Sequence, residues 1–279
     1  MERQERQHID DSHIAWHPAF YRAIQAELEA YASALRFEFE YQLTAEPLQM
    51  DVLIIKKEKD IVIEKNIASI FKRDNIVEYK SPADYVSVDD FYKIYGYACI
   101  YAALNKTPVT ELTLTFVETR HPRELLKHLK EIRGYIVEEK WGGIYWVTGD
   151  IMPIQIIESK KLSEHENIWL KNLSNELDTT GLARLTEEIY KQGKAALLGA
   201  YVKAVYLANP KPVQEAVKMS DVALTLDKVL EDAGLVAKWE ARGEARGEAR
   251  GEARIVELLK SGKSPEEIIR MYGAGQNKT

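Results

Sequence analysis

Apolar residues recur at Phe20, Ile24, Leu28, Tyr31 and Leu35. Spacings of three and four put them on one stripe and predict a helix over Pro18 to Leu35. The next stretch, RFEFEYQL from Arg36 to Leu43, sets Phe37, Phe39 and Tyr41 strictly against charged neighbours. That period of two is the mark of a half-buried strand. After Pro47, the run LQMDVLII (Leu48 to Ile55) is almost continuously apolar and suits a strand covered on both faces. Ile67 to Lys72 fits a short helix or a loop, and Asn75 to Tyr79 a further short strand, stopped by Pro82.

Ser87 to Leu104 carries Phe91, Ile94, Tyr95, Ala98, Tyr101 and Ala102 over much of a helical circumference, so a well-buried helix is expected. Ser87 followed by Asp90 is a capping-box pattern with Asp in place of Glu. ELTLTFVE (Glu111 to Glu118) alternates and is rich in β-branched residues, which predicts a strand. Arg123 to Arg133 reads as a third helix. Tyr135 to Ile157 reads as two or three strands around a Gly142-Gly143 turn. From Ser163 to Val236 the pattern is helical throughout.

The order of helix, three strands, helix and strand predicts an α/β fold of three layers around a mixed sheet. Three units are expected: residues 1–160 as the α/β domain, 161–236 as a helical extension, and 237–279 as a tail. The tail opens with ARGE-ARGE-ARGE-AR, Ala241 to Arg254. Its period of four is near the helical 3.6. Glu–Arg pairs add a few tenths of a kcal/mol each, while each interior glycine costs about 1 kcal/mol, so the repeat is at best a marginal helix. IVELLKSGKSPEEIIRMY (Ile255 to Tyr272) then suggests two short helices, the second begun by Ser264-Pro265.

Composition narrows the setting. The 279 residues are 46% hydrophobic, which is enough for a core, and no window approaches a membrane span. The opening MERQERQHIDD has no apolar stretch, so no secretory signal is expected and cytoplasmic residence is the default. The single cysteine, Cys99, excludes an intrachain disulfide and sits where a small core residue is expected. A net charge of −6 argues against tight non-specific nucleic-acid binding, which depends on cations displacing counterions. Arg120, Arg123, Lys127, Lys130, Arg133 and Lys140, with His121 and His128, are expected to form a solvated helix face. The six histidines show no paired ligand spacing, His13 and His17 apart, so no zinc site is expected. No glycine-rich phosphate loop follows a strand.

Three residues stand out chemically. Asp51 lies inside LQMDVLII, and a carboxylate in a doubly covered strand costs several kcal/mol unless paired, hydrogen-bonded or metal-bound. Glu78 and Lys80 flank Tyr79 and therefore project to one face, while Val77 and Tyr79 face the other. If the two strands are neighbours, Asp51 can join Glu78 and Lys80. Two carboxylates and a lysine suit phosphodiester hydrolysis: Mg²⁺ favours a few carboxylates and several waters, and a lysine can stabilise charge growing on phosphate. A lone Glu-x-Lys is more often a solvated face, so its strand context carries the inference.

Met50-Asp51-Val52-Leu53, then Val77-Glu78-Tyr79-Lys80-Ser81-Pro82, then Asp90 to Tyr97 (DFYKIYGY) carry a resemblance. Gly143-Ile144-Tyr145-Trp146 and Pro153 to Ile156 add to it. Together they resemble the PD-(D/E)XK nuclease superfamily, and within it the bacterial recombination-promoting nuclease and transposase-like branch, over roughly Pro18 to Leu173. The resemblance implies a restriction-endonuclease-like core, Asp51 and Glu78 as ligands of Mg²⁺ or Mn²⁺, Lys80 as catalytic lysine, and DNA as substrate. Some members add a Glu from the first helix, and Glu27 fits that position; an ordinary boundary Glu is the equal alternative. Tyr97 is a candidate phosphate contact or a core tyrosine.

Two functions follow from different classes. One is a metal-dependent DNA endonuclease of mobile-element or defence type. The other is a catalytically inactive nuclease-fold protein that binds or assembles through its helical extension and tail. The repeat has no large apolar residue, so it is expected to project as a self-association arm or to serve as a linker. Truncation after Lys238 separates these. A self-association arm predicts a fall in solution mass by light scattering together with altered plasmid cleavage; if both are unchanged, the tail takes no part in assembly or catalysis.

Overall fold

The computed structural model describes residues 14–39 and 52–235. Helix α1 (Trp16–Glu27) leads, through a 3₁₀ turn at Glu29–Ala34, into β1 (Leu35–Glu38). β2 (Val52–Lys57) and β3 (Asp74–Tyr79) follow, and α2 (Val88–Asn105) crosses to β4 (Leu112–Glu118). After α3 (Arg123–Glu131) come β5 (Ile136–Trp141), β6 (Ile144–Thr148) and β7 (Ile154–Glu158). The chain is α/β with a mixed seven-stranded open sheet in the order β1-β2-β3-β4-β7-β6-β5. β3, β4 and β7 are parallel; the two outer pairs on each side are antiparallel.

Helices cover both faces of the sheet. On one face Ile54, Ile76, Leu112, Leu114, Phe116, Ile154 and Ile156 pack against α2 and α3. On the other, Leu53, Ile55, Val77, Tyr79, Val117 and Ile157 pack against Phe20, Ala23 and Ile24 of α1. The helices expected after residue 160 are α4 (Ile168–Lys171), α5 (Thr179–Lys191), α6 (Gly199–Ala208), α7 (Pro210–Ala216) and α8 (Ser220–Asp232). Trp169, Leu185, Tyr201, Val205 and Val229 join them to the α1 face in one continuous apolar cluster.

Several expectations are corrected. The α-helix expected to reach Leu35 ends at Glu27; the chain then tightens to 3₁₀ with Ala30, Ala32 and Ser33 exposed, because β1 must begin at Leu35. The strand expected over Arg36 to Leu43 ends at Glu38, and 40–43 lie outside the described residues. Cys99 is exposed, not core. The buried face of α2 is Phe91, Ile94, Ala98, Tyr101 and Ala102, and the helical phase turns Cys99 outward with Ile100. The repeat and the tail helices lie outside the described residues.

The polar interior of the sheet fixes its register. Asn75 is fully buried. Its amide nitrogen donates to the carbonyls of Ile55 and Lys72, each at 2.9 Å. Its carbonyl oxygen accepts from the Lys72 amide at 2.8 Å and the Thr113 hydroxyl at 2.5 Å. One side chain thus ties β2, β3 and β4 together. Asn75→Ala strands these partners without replacements and is expected to lower stability by about 2–3 kcal/mol. A urea midpoint within error of wild type would show that the network adds nothing.

Candidate active site

Parallel strands all end on one edge of a sheet, which is where α/β folds commonly build sites. Side chains two apart share a face, so Glu78 continues the face of Ile76, Glu118 that of Leu114 and Phe116, and Glu158 that of Ile154 and Ile156. Glu118 and Glu158 are partners in the β4–β7 register. The Lys80 amide donates to the Val117 carbonyl at 2.9 Å, extending the β3–β4 pairing to the lysine. Three carboxylates and Lys80 are therefore placed by strand phase at one edge, on the α2 and α3 face.

Lys80 is held among carboxylates. Its Nζ lies 2.9 Å from Asp90 Oδ1, 3.4 Å from Glu78 Oε1 and 3.9 Å from Asp84 Oδ2. Asp90 is also the third residue of the α2 capping box. Its Oδ2 accepts from the Ser87 amide at 3.0 Å and from the Ser87 hydroxyl, while its own amide donates to Ser87 Oγ at 3.0 Å. Burial works to lower the Lys80 pKa, but the Asp90 hydrogen bond and the charges of Glu78, Asp90 and Asp84 outweigh it and raise the net value. A lysine held protonated can donate a hydrogen bond and stabilise negative charge; it does not serve as a base. Burial pushes the Glu78 carboxyl up to about 7, against the opposing pull of Lys80. That value lies where a carboxylate can accept a proton near neutrality.

Glu118 is 1% exposed. Its Oε2 accepts from the Val86 amide at 3.3 Å, and its Oε1 has no hydrogen-bond partner among the described residues. Burial raises its pKa to about 7, with Glu158, Asp84 and Asp90 adding repulsion. Glu158 Oε2 lies 2.9 Å from His121 Nδ1 and accepts from the Tyr145 hydroxyl at 3.0 Å. The β5–β6 turn supports this end: the Glu158 amide donates to the Gly143 carbonyl at 2.8 Å. At φ +79° a side chain on Gly143 would be strained, and its Cβ would lie 2.6 Å from the Glu158 carbonyl oxygen.

Of the residues singled out from sequence, Glu78 and Lys80 come together as expected. Asp51 lies outside the described residues; the described part of β2 begins at Val52, which the register sets opposite Glu78. Glu27 belongs to a different group. Its Oε1 accepts from the Trp169 and Leu170 amides at 2.8 and 3.1 Å, and its Oε2 pairs with Lys65 at 2.7 Å. It caps the start of α4, because the α1 stripe packs on the sheet face opposite Glu78. Tyr97 is half-buried against the α2 cluster, with Lys93 Nζ 5.9 Å from its ring centre. In the basic stretch Arg120, Arg123, Lys127 and Lys130 are exposed, as a solvated face requires. Arg133 instead pairs with Asp150 at 3.1 Å and lies over the rings of Tyr95 and Tyr135. Sequence reasoning passed over Asp84, Glu118 and Glu158, treated Asp90 only as a cap, and set His121 on a solvated helix face, whereas it precedes α3 and meets Glu158. The available signal was phase: Glu118 and Glu158 occupy inward positions in alternating strands.

Among the described residues, no group of three or more His, Cys, Asp or Glu side chains converges as a metal cage. The donor chemistry still fits a hard divalent cation. Glu78 and Glu118 are desolvated carboxylates, Glu118 Oε1 is unpartnered, and Mg²⁺ is commonly held by one or two carboxylates with the rest water. Glu78 is the described residue that would contribute to holding it beside Lys80; Glu118 lies on the neighbouring strand β4.

The two raised carboxyls give a signed pH dependence. The folded state favours their protonated forms, so it binds more protons than the unfolded chain between the ordinary 4.5 and about 7. Their contribution to stability is complete below 4.5 and is lost as pH rises through about 7. In chelator, Glu78→Gln is expected to flatten this decline by up to about 1.4 kcal/mol per pH unit. Urea midpoints from pH 4.5 to 8 measure it, and a wild-type slope in the variant would show that Glu78 titrates normally.

Comparison of the chain with family models, curated proteins and solved structures returned no match in any of the three.

Proposed function

We propose that the chain is a divalent-metal-dependent DNA endonuclease with a restriction-endonuclease-like core, hydrolysing phosphodiester bonds. The observation that carries this reading is the placement of Glu78 and Lys80 on one sheet face at the end of β3, with the lysine held protonated between Glu78 and Asp90. Mg²⁺ or Mn²⁺ at Glu78 would supply Lewis acidity and an activated water, with Asp51 the second ligand that the resemblance implies. Lys80 donates to a phosphoryl oxygen and offsets the charge that grows on it during attack. Asp90 holds the amine from the helix side and Glu78 from the strand side. The exposed cations Arg120 and Arg123 follow directly after β4 and can meet phosphates flanking the scissile bond.

A second reading is favoured by the same edge. Glu78, Asp84 and Asp90 surround a single lysine. Without a bound cation this edge repels phosphate, which fits an inactive nuclease-fold protein acting through its helical extension and tail. Plasmid nicking separates the two. With Mg²⁺ or Mn²⁺, wild type is expected to nick supercoiled DNA, and Lys80→Ala to lose about 100-fold or more, the usual cost of removing one charge-stabilising donor. Glu78→Ala and Asp51→Asn are expected to fall to background. Equal nicking by wild type and Lys80→Ala, in a preparation free of contaminating nuclease, would dispose of the catalytic role. No nicking by any form favours the second reading.

A further inference from the structure

Four carboxylates are buried among the described residues: Glu27, Asp74, Glu78 and Glu118. Three have a cation within ion-pair distance. Lys65 stands at Glu27, Arg73 at Asp74 and Lys80 at Glu78, at 2.7, 3.5 and 3.4 Å. Glu118 is the most deeply buried of the four and has no such cation among the described residues. Among the described residues one amide hydrogen bond reaches its Oε2, and none reaches its Oε1. A buried, uncompensated carboxylate costs several kcal/mol, so this one is neutralised either by a proton or by a bound cation.

Its surroundings sharpen that demand. Glu158 is its register partner on the neighbouring parallel strand and shares its face, and Asp84 and Asp90 add negative charge nearby. His121 is engaged with Glu158. The edge is open to solvent there, since the Asp84 side chain is 56% exposed and that of His121 41%. Glu158, whose side chain is 15% exposed, is the member of the pair that a cation would meet first, with the buried Glu118 behind it.

We propose that Glu118 and Glu158 hold a divalent cation, Mg²⁺ or Mn²⁺, at a site separate from the one assigned to Asp51 and Glu78. The ligand chemistry is two hard carboxylates with the remaining positions water, the arrangement that Mg²⁺ commonly accepts. This cation neutralises the acidic edge beside Lys80 and so permits an anionic partner to approach it. The inference stands on burial, pairing and register, and does not require that the edge cut a phosphodiester.

The test is Mn²⁺ binding to the full chain after treatment with chelator, read from the paramagnetic resonance signal of free Mn²⁺. Wild type is expected to bind, and Glu118→Gln and Glu158→Gln to weaken the same equivalent. The affinity should fall at least about tenfold, since even residues behind a metal ligand cost that much. Glu78→Gln is expected to retain that equivalent. Circular dichroism checks folding, and Glu158→Gln, at the less buried position, serves where Glu118→Gln does not fold. Three results overturn the proposal: no Mn²⁺ binding by wild type, unchanged binding in both variants, or loss of the same equivalent in Glu78→Gln. The first two point to a Glu118 that is simply protonated. DNA cleavage is not part of the readout, so an inactive wild type removes the nuclease reading and leaves this one to be decided on its own result.

Discussion

Parallel pairing of β3, β4 and β7 governs where the chemistry of this chain can lie. Parallel strands run out together on one edge, and alternation within each strand then decides which face its last residue joins. Each of these three strands carries at or beside its end a carboxylate in phase with the apolar residues before it: Glu78, Glu118 and Glu158. Apolar residues earlier in the strands build the core against α2 and α3. At the ends the same phase carries charge into a partly desolvated rim, and the cost of desolvation makes those groups seek partners. For Glu78 the partner is Lys80, while Glu118 has one backbone amide.

The start of α2 connects helix formation to the lysine. Ser87 and Asp90 satisfy each other's backbone amides at the start of the helix, a local requirement that the sequence meets with a capping box. Asp90 uses one oxygen for that cap and the other for Lys80. The helix therefore begins where the lysine ends, and one carboxylate serves both. Had Glu stood at position 90, its longer side chain would place the second oxygen differently, which gives the Asp a reason beyond capping.

Much of the α/β framework was legible from periodicity, because α2, β3, β4 and the β5–β6 turn combine strong phase with clear punctuation. Glu78 and Lys80 were legible for the same reason: i and i+2 on a strand must share a face. Two things were hidden. The end of α1 was misread because Leu28, Tyr31 and Leu35 keep helical spacing while the backbone tightens to 3₁₀, and spacing alone does not distinguish the two. Glu118 and Glu158 are 40 residues apart in sequence, and only the β4–β7 register makes them neighbours. Glu27 shows the reverse case. Its place beside an apolar stripe suggested the site, yet the stripe packs on the far face and its carboxylate caps α4.

The far face nevertheless bears on the candidate site. Tyr79 lies between Glu78 and Lys80 and points away from both, into the α1 layer. Its ring stacks on Phe20 at 4.3 Å between centres with an interplanar angle of 6°, and His17 meets it edge-on. Anchoring Tyr79 on one face fixes the backbone from which Glu78 and Lys80 project on the other. α1 is in turn pinned by α4 and α6, through the Glu27 bonds to the Trp169 and Leu170 amides and through the shared apolar cluster. The helical extension thereby packs behind the strand that carries Glu78 and Lys80, and side chains keep a fixed mutual geometry best on elements packed in this way.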